Sequence, residues 1–246
     1  MTHPFEVRAE ATVRATPDQV WEAIASSTGM DGWFMGENEV EPRLGGAVRT
    51  RLPGFTMSSS ITTFEPPQRF VTASPEGDDG RLDVFSFEIE GRGGGTTLIR
   101  LVHSGFLPGD DWEGEYDALQ NGDPAYLAKL AEYVEHFRGR QATPITLWGP
   151  GVSKERARSA YAAAMGVGPD PKVGDPVRFR AEGLPELDGE VDYVSRDFLG
   201  FRTADGMYRF IHGLGTVAIG HHLFSAVDRP ATEAAWQAWL DRTFAD

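Results

Sequence analysis

The stretch GDPAYLAKLAEYVEHFRG (residues 122–139) has the apolar period of a helix with one buried side. Asp123 is expected to cap this helix, with Pro124 as its first residue and Gly139 as its end. The apolar stripe consists of Tyr126, Leu127, Leu130, Tyr133, Val134 and Phe137. This pattern predicts a strongly amphipathic closing helix.

The chain opens with a strand and a helix. In FEVRAEATV (5–13), apolar residues alternate with polar ones, which is the period of a strand with one buried face. TPDQVWEAIASSTG (16–29) then places Thr16 at an N-cap, Pro17 at the first helical position and Gln19 at the third residue of a capping box. A helix is therefore expected directly after the first strand.

Short strands separated by turn residues fill the region between the two helices. They are predicted at 47–52, 57–64, 69–74, 82–90 and 96–104. Alternation directs Phe85 and Phe87 inward, and it directs Leu101 and His103 inward if Arg100 faces solvent. Because no long helix separates these strands, an antiparallel sheet is favoured.

A strand, a helix, an antiparallel sheet and a long helix together describe a helix-grip domain of the α+β class, predicted over residues 1–140. The residues ATPDQVWEAI, GWF (32–34), EPRLGGAVRTRLPG, ITTFEPPQRFV, GGTTLIRLVHSGF and YLAKLAEYVEHF make this region resemble the START-like superfamily, in the branch of the activator of heat-shock-protein ATPase. The resemblance covers about residues 5–139. The branch commonly carries Gly-Trp before its last helix, whereas this chain has Gly122-Asp123. The resemblance therefore implies no ligand contact by a Trp at this position.

The second half of the chain repeats the first in shortened form. PKVGDPVRFRAEG (171–183) shares six of thirteen positions with PRLGGAVRTRLPG (42–54). After the linker RQATPITLWGPG (140–151) come a helix capped by Ser153, further strand patterns in the same order, and a helix near 231–244. A second, shortened helix-grip unit is predicted over 145–246, without room for a second helix like that around 30–40. The alternative is one START-like domain followed by an unrelated α+β extension.

The composition argues against several classes of partner. The 246 residues carry a formal net charge of −14, which disfavours nucleic acid and anionic membrane surfaces as partners. The chain contains no cysteine, and its N-terminus lacks the pattern of a signal peptide. A soluble, cytoplasmic protein without disulfides is expected, and its oligomeric state is left open.

The resemblance implies an apolar cavity between the sheet and the closing helix. Members of the superfamily bind lipids, hormones or polyketides, cyclise aromatic polyketides, activate a chaperone, or sequester reactive natural products. The loop 107–122 is expected to fold over the mouth of the cavity. The ligand-binding residues expected here are Trp33, Phe34, Phe85, Phe87, Leu101, His103, Trp112, Tyr116, Tyr126, Leu130, Tyr133 and Phe137.

Catalysis is the competing interpretation of the same region. His103, with Glu113 or Glu115 nearby, could act as a general acid or base. Alternatively, His103 has only a structural role, as a histidine at a strand end that is hydrogen-bonded to the backbone. His221 and His222 are adjacent on a strand and point to opposite faces, so no metal site is predicted. No catalytic residue and no cofactor are assigned.

Glycine is concentrated in GRGGG (91–95), which suits a hairpin turn or, alternatively, exposed glycines whose α-hydrogens a carbon radical could abstract. Proteins of this branch include self-resistance proteins for enediyne antibiotics, which generate such radicals. The prediction is a non-enzymatic binding protein for a bulky apolar, partly aromatic small molecule, with enediyne sequestration as the specific hypothesis. A polyketide cyclase and a chaperone co-activator are the alternatives.

Overall fold

The computed structural model of the protein describes residues 1–213 and 215–245. The chain folds into two compact units, Met1–Gln141 and Ala142–Asp246. Asp246, the last residue of the second predicted domain, and Leu214 lie outside the described residues. Each unit is an antiparallel sheet with helices.

The first unit contains a seven-stranded sheet in the order β1-β7-β6-β5-β4-β3-β2. Its strands are Thr2–Val13 (β1), Glu37–Val40 (β2), Ala47–Leu52 (β3), Phe55–Glu65 (β4), Arg69–Ala73 (β5), Leu82–Arg92 (β6) and Thr96–Pro108 (β7). Its helices are Pro17–Ala25 (α1), Ser27–Asp31 (α2) and Trp112–Glu132 (α3), and α3 continues into a π-helical turn at Tyr133–Phe137. All strand pairs are antiparallel, as predicted.

Local sequence accounts for the start of α1. The Thr16 hydroxyl accepts a hydrogen bond from the backbone N–H of Gln19 at 3.3 Å, and the Gln19 side chain accepts one from the backbone N–H of Thr16 at 2.9 Å. This is the predicted capping box, which gives the first backbone N–H groups of the helix side-chain partners. Pro17 occupies the first turn, where its missing N–H costs nothing.

The start predicted for the closing helix is wrong. The helix begins at Trp112, eleven residues before Asp123, so most of the expected loop 107–122 is helical and Pro124 lies inside α3. Gly-Asp-Pro is a typical helix start because proline lacks the N–H that an interior residue donates. In α3 the Asp123 side chain is instead directed at the sheet, where it finds a hydrogen-bond partner.

The second unit contains a six-stranded sheet in the order β8-β13-β12-β11-β10-β9. Its strands are Thr143–Trp148 (β8), Pro176–Phe179 (β9), Leu187–Val194 (β10), Phe198–Arg202 (β11), Gly206–Ile211 (β12) and Ala218–Leu223 (β13), and its helices are Lys154–Met165 (α4) and Arg229–Thr243 (α5). The strand order repeats that of the first sheet with one edge strand fewer. Among the described residues, this unit has no short helix and strand between α4 and β9 to match α2 and β2.

The predicted α+β fold, with a helix-grip unit followed by a shortened one, is confirmed. The interpretation of residues 140–151 as a linker is wrong in part, because β8 lies within them and pairs with β13. The first strand of the second unit was missed because TPITLW has no alternation of apolar and polar residues.

Aromatic residues form the core of the second unit, between α5 and the sheet. Trp236 and Trp239 on α5 contact the ring of Phe179 at 5.4 and 5.8 Å between centroids, and the two indoles pack edge to face at 5.5 Å. Tyr161 of α4 and Phe210 of β12 join the same cluster. These contacts bury α5 against the inner face of its sheet.

The first unit packs its closing helix against the end of α2 in a way that forbids a side chain at Gly32. A Cβ at this position would lie 2.3 Å from the ring of Tyr133, which is buried. We expect Gly32→Ala to lower the free energy of unfolding by about 1–3 kcal/mol, because the ring has no space to move into. Urea unfolding monitored by circular dichroism measures this change.

Gly114 provides the matched control within α3. A Cβ there would meet nothing within 4 Å, so Gly114→Ala should stabilise the protein by up to about 1 kcal/mol through helix propensity alone. Equal destabilisation by both substitutions would contradict the proposed packing of Tyr133 on Gly32.

Candidate functional site

A buried histidine lies between two carboxylates on the inner face of the first sheet. His103 on β7 is 3% exposed. Its Nδ1 atom is 2.9 Å from Oδ2 of Asp123 on α3, and its Nε2 atom is 3.2 Å from Oδ1 of Asp83 on β6. Both ring nitrogens therefore donate hydrogen bonds to carboxylates when the imidazole is protonated.

Aromatic rings enclose the same imidazole. The ring of Phe85 stacks on His103 with centroids 3.8 Å apart, and the ring of Phe5 meets it edge-on at 4.9 Å. The histidine is thus fixed both by its nitrogens and by its ring face. It links two strands of the sheet to the closing helix.

The surroundings of His103 favour its charged form. Burial alone would lower the pKa of His103, but the hydrogen bonds and charges of Asp123 and Asp83 outweigh burial and raise the pKa above its usual 6.5. A protonated His103 places its positive charge between the two carboxyl groups. A buried charge is tolerated there because each of its donors is satisfied.

Strand register identifies the neighbours of His103 on the inner face of the sheet. Directly opposed residues form a row across five strands, consisting of Val7, His103, Phe85, Thr72 and Ile61. The next row on one side contains the apolar Leu101, Phe87 and Phe70. On the other side, Asp83 lies opposite Gly105. The row beyond His103 therefore adds one carboxylate, that of Asp83, to an inner face that is otherwise lined by apolar residues such as Phe5 and Leu107.

The twelve residues predicted to bind a ligand all lie in the first unit and divide into two groups. The buried ones are Trp33, Phe87, Leu101, His103, Leu130, Tyr133 and Phe137. The ones that retain accessible surface are Phe34, Phe85, Trp112, Tyr116 and Tyr126. Only the second group can contact a ligand without displacing protein atoms.

Phe34 and Tyr126 form the accessible aromatic pair beside the closing helix. Their ring centroids are 5.5 Å apart, and Phe34 also packs on buried Trp33 at 5.3 Å. The indole N–H of Trp33 donates to the backbone carbonyl of Ala23 at 2.9 Å, so this indole is held in the core. Burial and the charge of Asp123 raise the pKa of Tyr126, which keeps its hydroxyl protonated as a hydrogen-bond donor.

Trp112 and Tyr116 are helical and contact β1, so their expected position on a loop is wrong. Trp112 stacks on the ring of His3 at 4.7 Å, and the Tyr116 hydroxyl donates to the carbonyl of Glu6 at 3.2 Å. Glu115, expected near His103, instead forms a two-pronged ion pair with Arg81 at 2.6 and 2.8 Å. The first turns of α3 are therefore anchored at several points.

The glycine-rich stretch 91–95 forms the end of β6 and the hairpin turn into β7. Gly94 and Gly95 have φ of +79° and +77°, which the turn requires and side chains disfavour. Gly91, the first of these glycines, lies six residues beyond Phe85 on β6, or about 20 Å at about 3.3 Å per residue. These glycines serve the hairpin and do not line the region of His103 and Phe85.

Two findings concern metals and membranes. Within 1–213 and 215–245, no three His, Cys, Asp or Glu side chains are grouped so that they could hold a metal ion. No helix in these ranges is long and apolar enough to cross a membrane.

Sequence reasoning did not identify the two partners of His103. Asp83 shares the parity of Phe85 and Phe87, so strand alternation alone places its carboxylate inward and provides a usable signal. The sequence predicted Asp123 as a helix cap and not as a hydrogen-bond partner of His103. A polar residue at an inward position of a strand is the feature that was overlooked.

Residues 14–135, slightly less than half of the chain, match the model of the family described as "Activator of Hsp90 ATPase homolog 1-like protein". The match lies within the first unit, and the resemblance stated from the sequence is confirmed. A search of curated proteins found no match.

Several solved structures are similar to this chain. The Aha1 dimer from Colwellia psychrerythraea is 17% identical over 55% of this chain and 99% of its own, with a TM-score of 0.46. Protein BH1534 from Bacillus halodurans is 23% identical over 55% of this chain and 100% of its own, with a TM-score of 0.47. DynU16, from the dynemicin biosynthetic locus, is 18% identical over 97% of this chain and 95% of its own, with a TM-score of 0.47.

The protonation of His103 gives a pH-dependent stability. Because its folded pKa is raised, its contribution is fully present below the unfolded pKa of about 6.5 and is lost as the pH rises through the folded pKa. Each unit of elevation corresponds to about 1.4 kcal/mol. NMR titration of the imidazole should give a midpoint above 6.5, and Asp123→Asn should lower that midpoint.

The stability advantage of wild type over His103→Phe should shrink as the pH rises through the same midpoint. A midpoint at or below 6.5, or an advantage that grows with pH, would show that the two carboxylates do not hold His103 in its charged form.

Proposed function

We propose that the first unit, with its activator-type domain, binds a bulky, apolar, partly aromatic small molecule beside the closing helix. The observation that carries this proposal is the accessible surface of Phe34, Phe85 and Tyr126 next to buried core residues. These three rings come from three different elements, the segment after α2, strand β6 and helix α3. Apolar surface with a few polar groups is typical of small-molecule sites.

The polar groups at this site suit orientation of a ligand. Burial and the charge of Asp123 raise the pKa of Tyr126, so its hydroxyl stays protonated and can donate a hydrogen bond to a ligand oxygen that reaches the buried edge of the ring. Asp83 is partly exposed, so its carboxylate can accept one. A molecule with a planar apolar body and oxygen substituents, such as a polyketide, matches both features.

The geometry of His103 favours binding over catalysis. A general acid or base needs a nitrogen within reach of the substrate. Both nitrogens of His103 lie within hydrogen-bond distance of carboxylates, and Phe85 covers a ring face. The enzyme alternative, a polyketide cyclase, would have to act through the partly exposed carboxylate of Asp83.

The specific hypothesis is sequestration of an enediyne-type product for self-resistance in antibiotic biosynthesis, in the cytoplasm. It rests on the family resemblance and on a composition without cysteine, because the chain then presents no thiolate nucleophile to a reactive polyketide. The glycines of residues 91–95 form the end of β6 and a hairpin turn away from Phe85, so they are not expected to quench a radical on a ligand bound there. The third candidate is co-activation of a chaperone ATPase, which the family description names.

Titration with a neutral anthraquinone, 1,8-dihydroxyanthraquinone, tests the proposal. Loss of one aromatic wall should weaken binding about tenfold, so Phe85→Ala and Phe34→Ala should each raise Kd by about that factor. Phe106→Ala is the matched control, because Phe106 lies on β7 of the same unit and is exposed on the alternate side of the strand from His103. Its Kd should equal that of wild type.

Three outcomes would contradict the proposal. Equal weakening by Phe106→Ala would place the anthraquinone elsewhere. Chemical conversion of a linear polyketide would favour the cyclase. Binding to a chaperone middle domain without any binding of the anthraquinone would favour the co-activator.

A further inference from the structure

The closing helix of the first unit has two halves that differ in burial. Every buried residue of α3 lies at or after Asp123, whereas residues 112–122 all retain accessible surface. The later half is fixed to the sheet by the hydrogen bond between Asp123 and His103 and by the buried side chains that follow. The earlier half has few buried side chains to hold it, which is typical of segments that open locally.

The two halves meet at the weakest point of the helix. Pro124 lacks the N–H that would bond to the carbonyl of Gln120, and its ring crowds that carbonyl. Gly122 lies between these residues, and a Cβ at this position would meet nothing within 4 Å, so no packing contact requires glycine there. A missing hydrogen bond beside a residue with a flexible backbone makes residues 120–122 the easiest place for α3 to bend.

The earlier half of α3 covers the inner face at the end of β7. Trp112 stacks on His3, which lies opposite Leu107 in the sheet, and eleven residues after Trp112 the side chain of Asp123 bonds to His103. The helix rises about 16 Å over this stretch, and β7 extends about 13 Å from Leu107 to His103, so helix and strand run side by side. Leu107, which is fully buried, therefore lies beneath the earlier half.

The polar contacts that hold this half in place are at the surface. Glu115 accepts two hydrogen bonds from Arg81 at 2.6 and 2.8 Å, and both side chains are more than a third exposed. The Tyr116 hydroxyl donates to the carbonyl of Glu6 at 3.2 Å in an exposed position. Because water and salt screen an ion pair at this exposure, it holds the segment less firmly than buried apolar contacts hold the later half.

We propose that residues 112–119 form a helical lid, which swings as one body about a hinge at residues 120–122. The ion pair of Arg81 with Glu115 is the latch that keeps the lid closed. When the lid opens, Leu107 and Phe5 become accessible beside His103, which exposes an apolar compartment that is buried in the closed form. The lid is a property of the chain alone and does not depend on the proposed ligand.

Thiol labelling of the full chain with iodoacetamide tests this inference, because the sequence contains no cysteine. Leu107→Cys places one thiol beneath the lid. Ile99→Cys is the matched control, since both native side chains are fully buried on the same face of β7 and Ile99 lies beyond His103 from the lid. After correction for global unfolding measured in urea, the thiol of Leu107→Cys should react at least tenfold faster than that of Ile99→Cys. Mass spectrometry measures both rates.

Three further substitutions in the Leu107→Cys background separate a swinging lid from local unfolding of the helix. Glu115→Gln removes the latch and should accelerate labelling several-fold. Gly122→Ala stiffens the hinge and should slow labelling about threefold. Gly114→Ala is the control for helix propensity, because Gly114 lies within the lid and has the same free space for a Cβ. It should leave the rate unchanged, since the lid stays helical when it swings.

Equal labelling rates for Leu107→Cys and Ile99→Cys would overturn the inference. Equal slowing by Gly114→Ala and Gly122→Ala would also overturn it, because that pattern indicates that the segment unfolds and does not swing.

Amide hydrogen exchange of the unsubstituted chain decides the question if Leu107→Cys does not fold. The N–H groups of residues 122, 123 and 125 span the hinge and should exchange at least tenfold faster than those of 127–132. Uniform exchange along α3 would contradict a hinge. No anthraquinone enters these measurements, so failure of the lid and failure of the proposed ligand site give distinct results.

Discussion

Each unit depends on one constraint, which is that a long helix must cover the inner face of an antiparallel sheet. In the first unit that cover includes charged atoms as well as apolar surface, because Asp123 of α3 is bonded to His103 of β7. A carboxylate directed into the interior is costly unless it is paired, so this bond fixes the position of the helix along the sheet. Phe85 stacks on the same imidazole, and Tyr126 lies on α3 three residues after Asp123. The hydrogen bond between Asp123 and His103 therefore also positions these two rings.

The two units place a histidine beside an aromatic ring in different ways. In the first, His103 stacks on Phe85 and pairs with two carboxylates. In the second, His221 is buried between Tyr208 and Trp236, with ring centroids at 5.1 and 4.3 Å, and accepts a hydrogen bond from the N–H of Arg209. The second unit also contains a buried ion pair, Arg209 with Asp192 at 2.9 Å, so the two units differ in the neighbours of the histidine and not in whether they bury charge.

Much of the fold could be predicted from local patterns. The capping box at Thr16 fixed the start of α1, and alternation placed Phe87, Leu101 and His103 on the buried face. The errors arose where tertiary contacts override local signals. Gly122-Asp123-Pro124 is a typical helix start, yet the helix continues through it, and pairing with His103 gives Asp123 a function that sequence spacing alone does not reveal. Likewise the sequence of β8 does not alternate between apolar and polar residues, and this segment is a strand because it pairs with β13.

The central claim is that a ligand of the first unit contacts the accessible aromatic residues beside the closing helix. Intermolecular nuclear Overhauser effects between bound 1,8-dihydroxyanthraquinone and the isotope-labelled protein test this claim most directly. The account predicts cross-peaks from the anthraquinone protons to Phe34, Phe85 and Tyr126. Cross-peaks confined to outward-facing Phe106, or to Trp236 of the second unit, would contradict it.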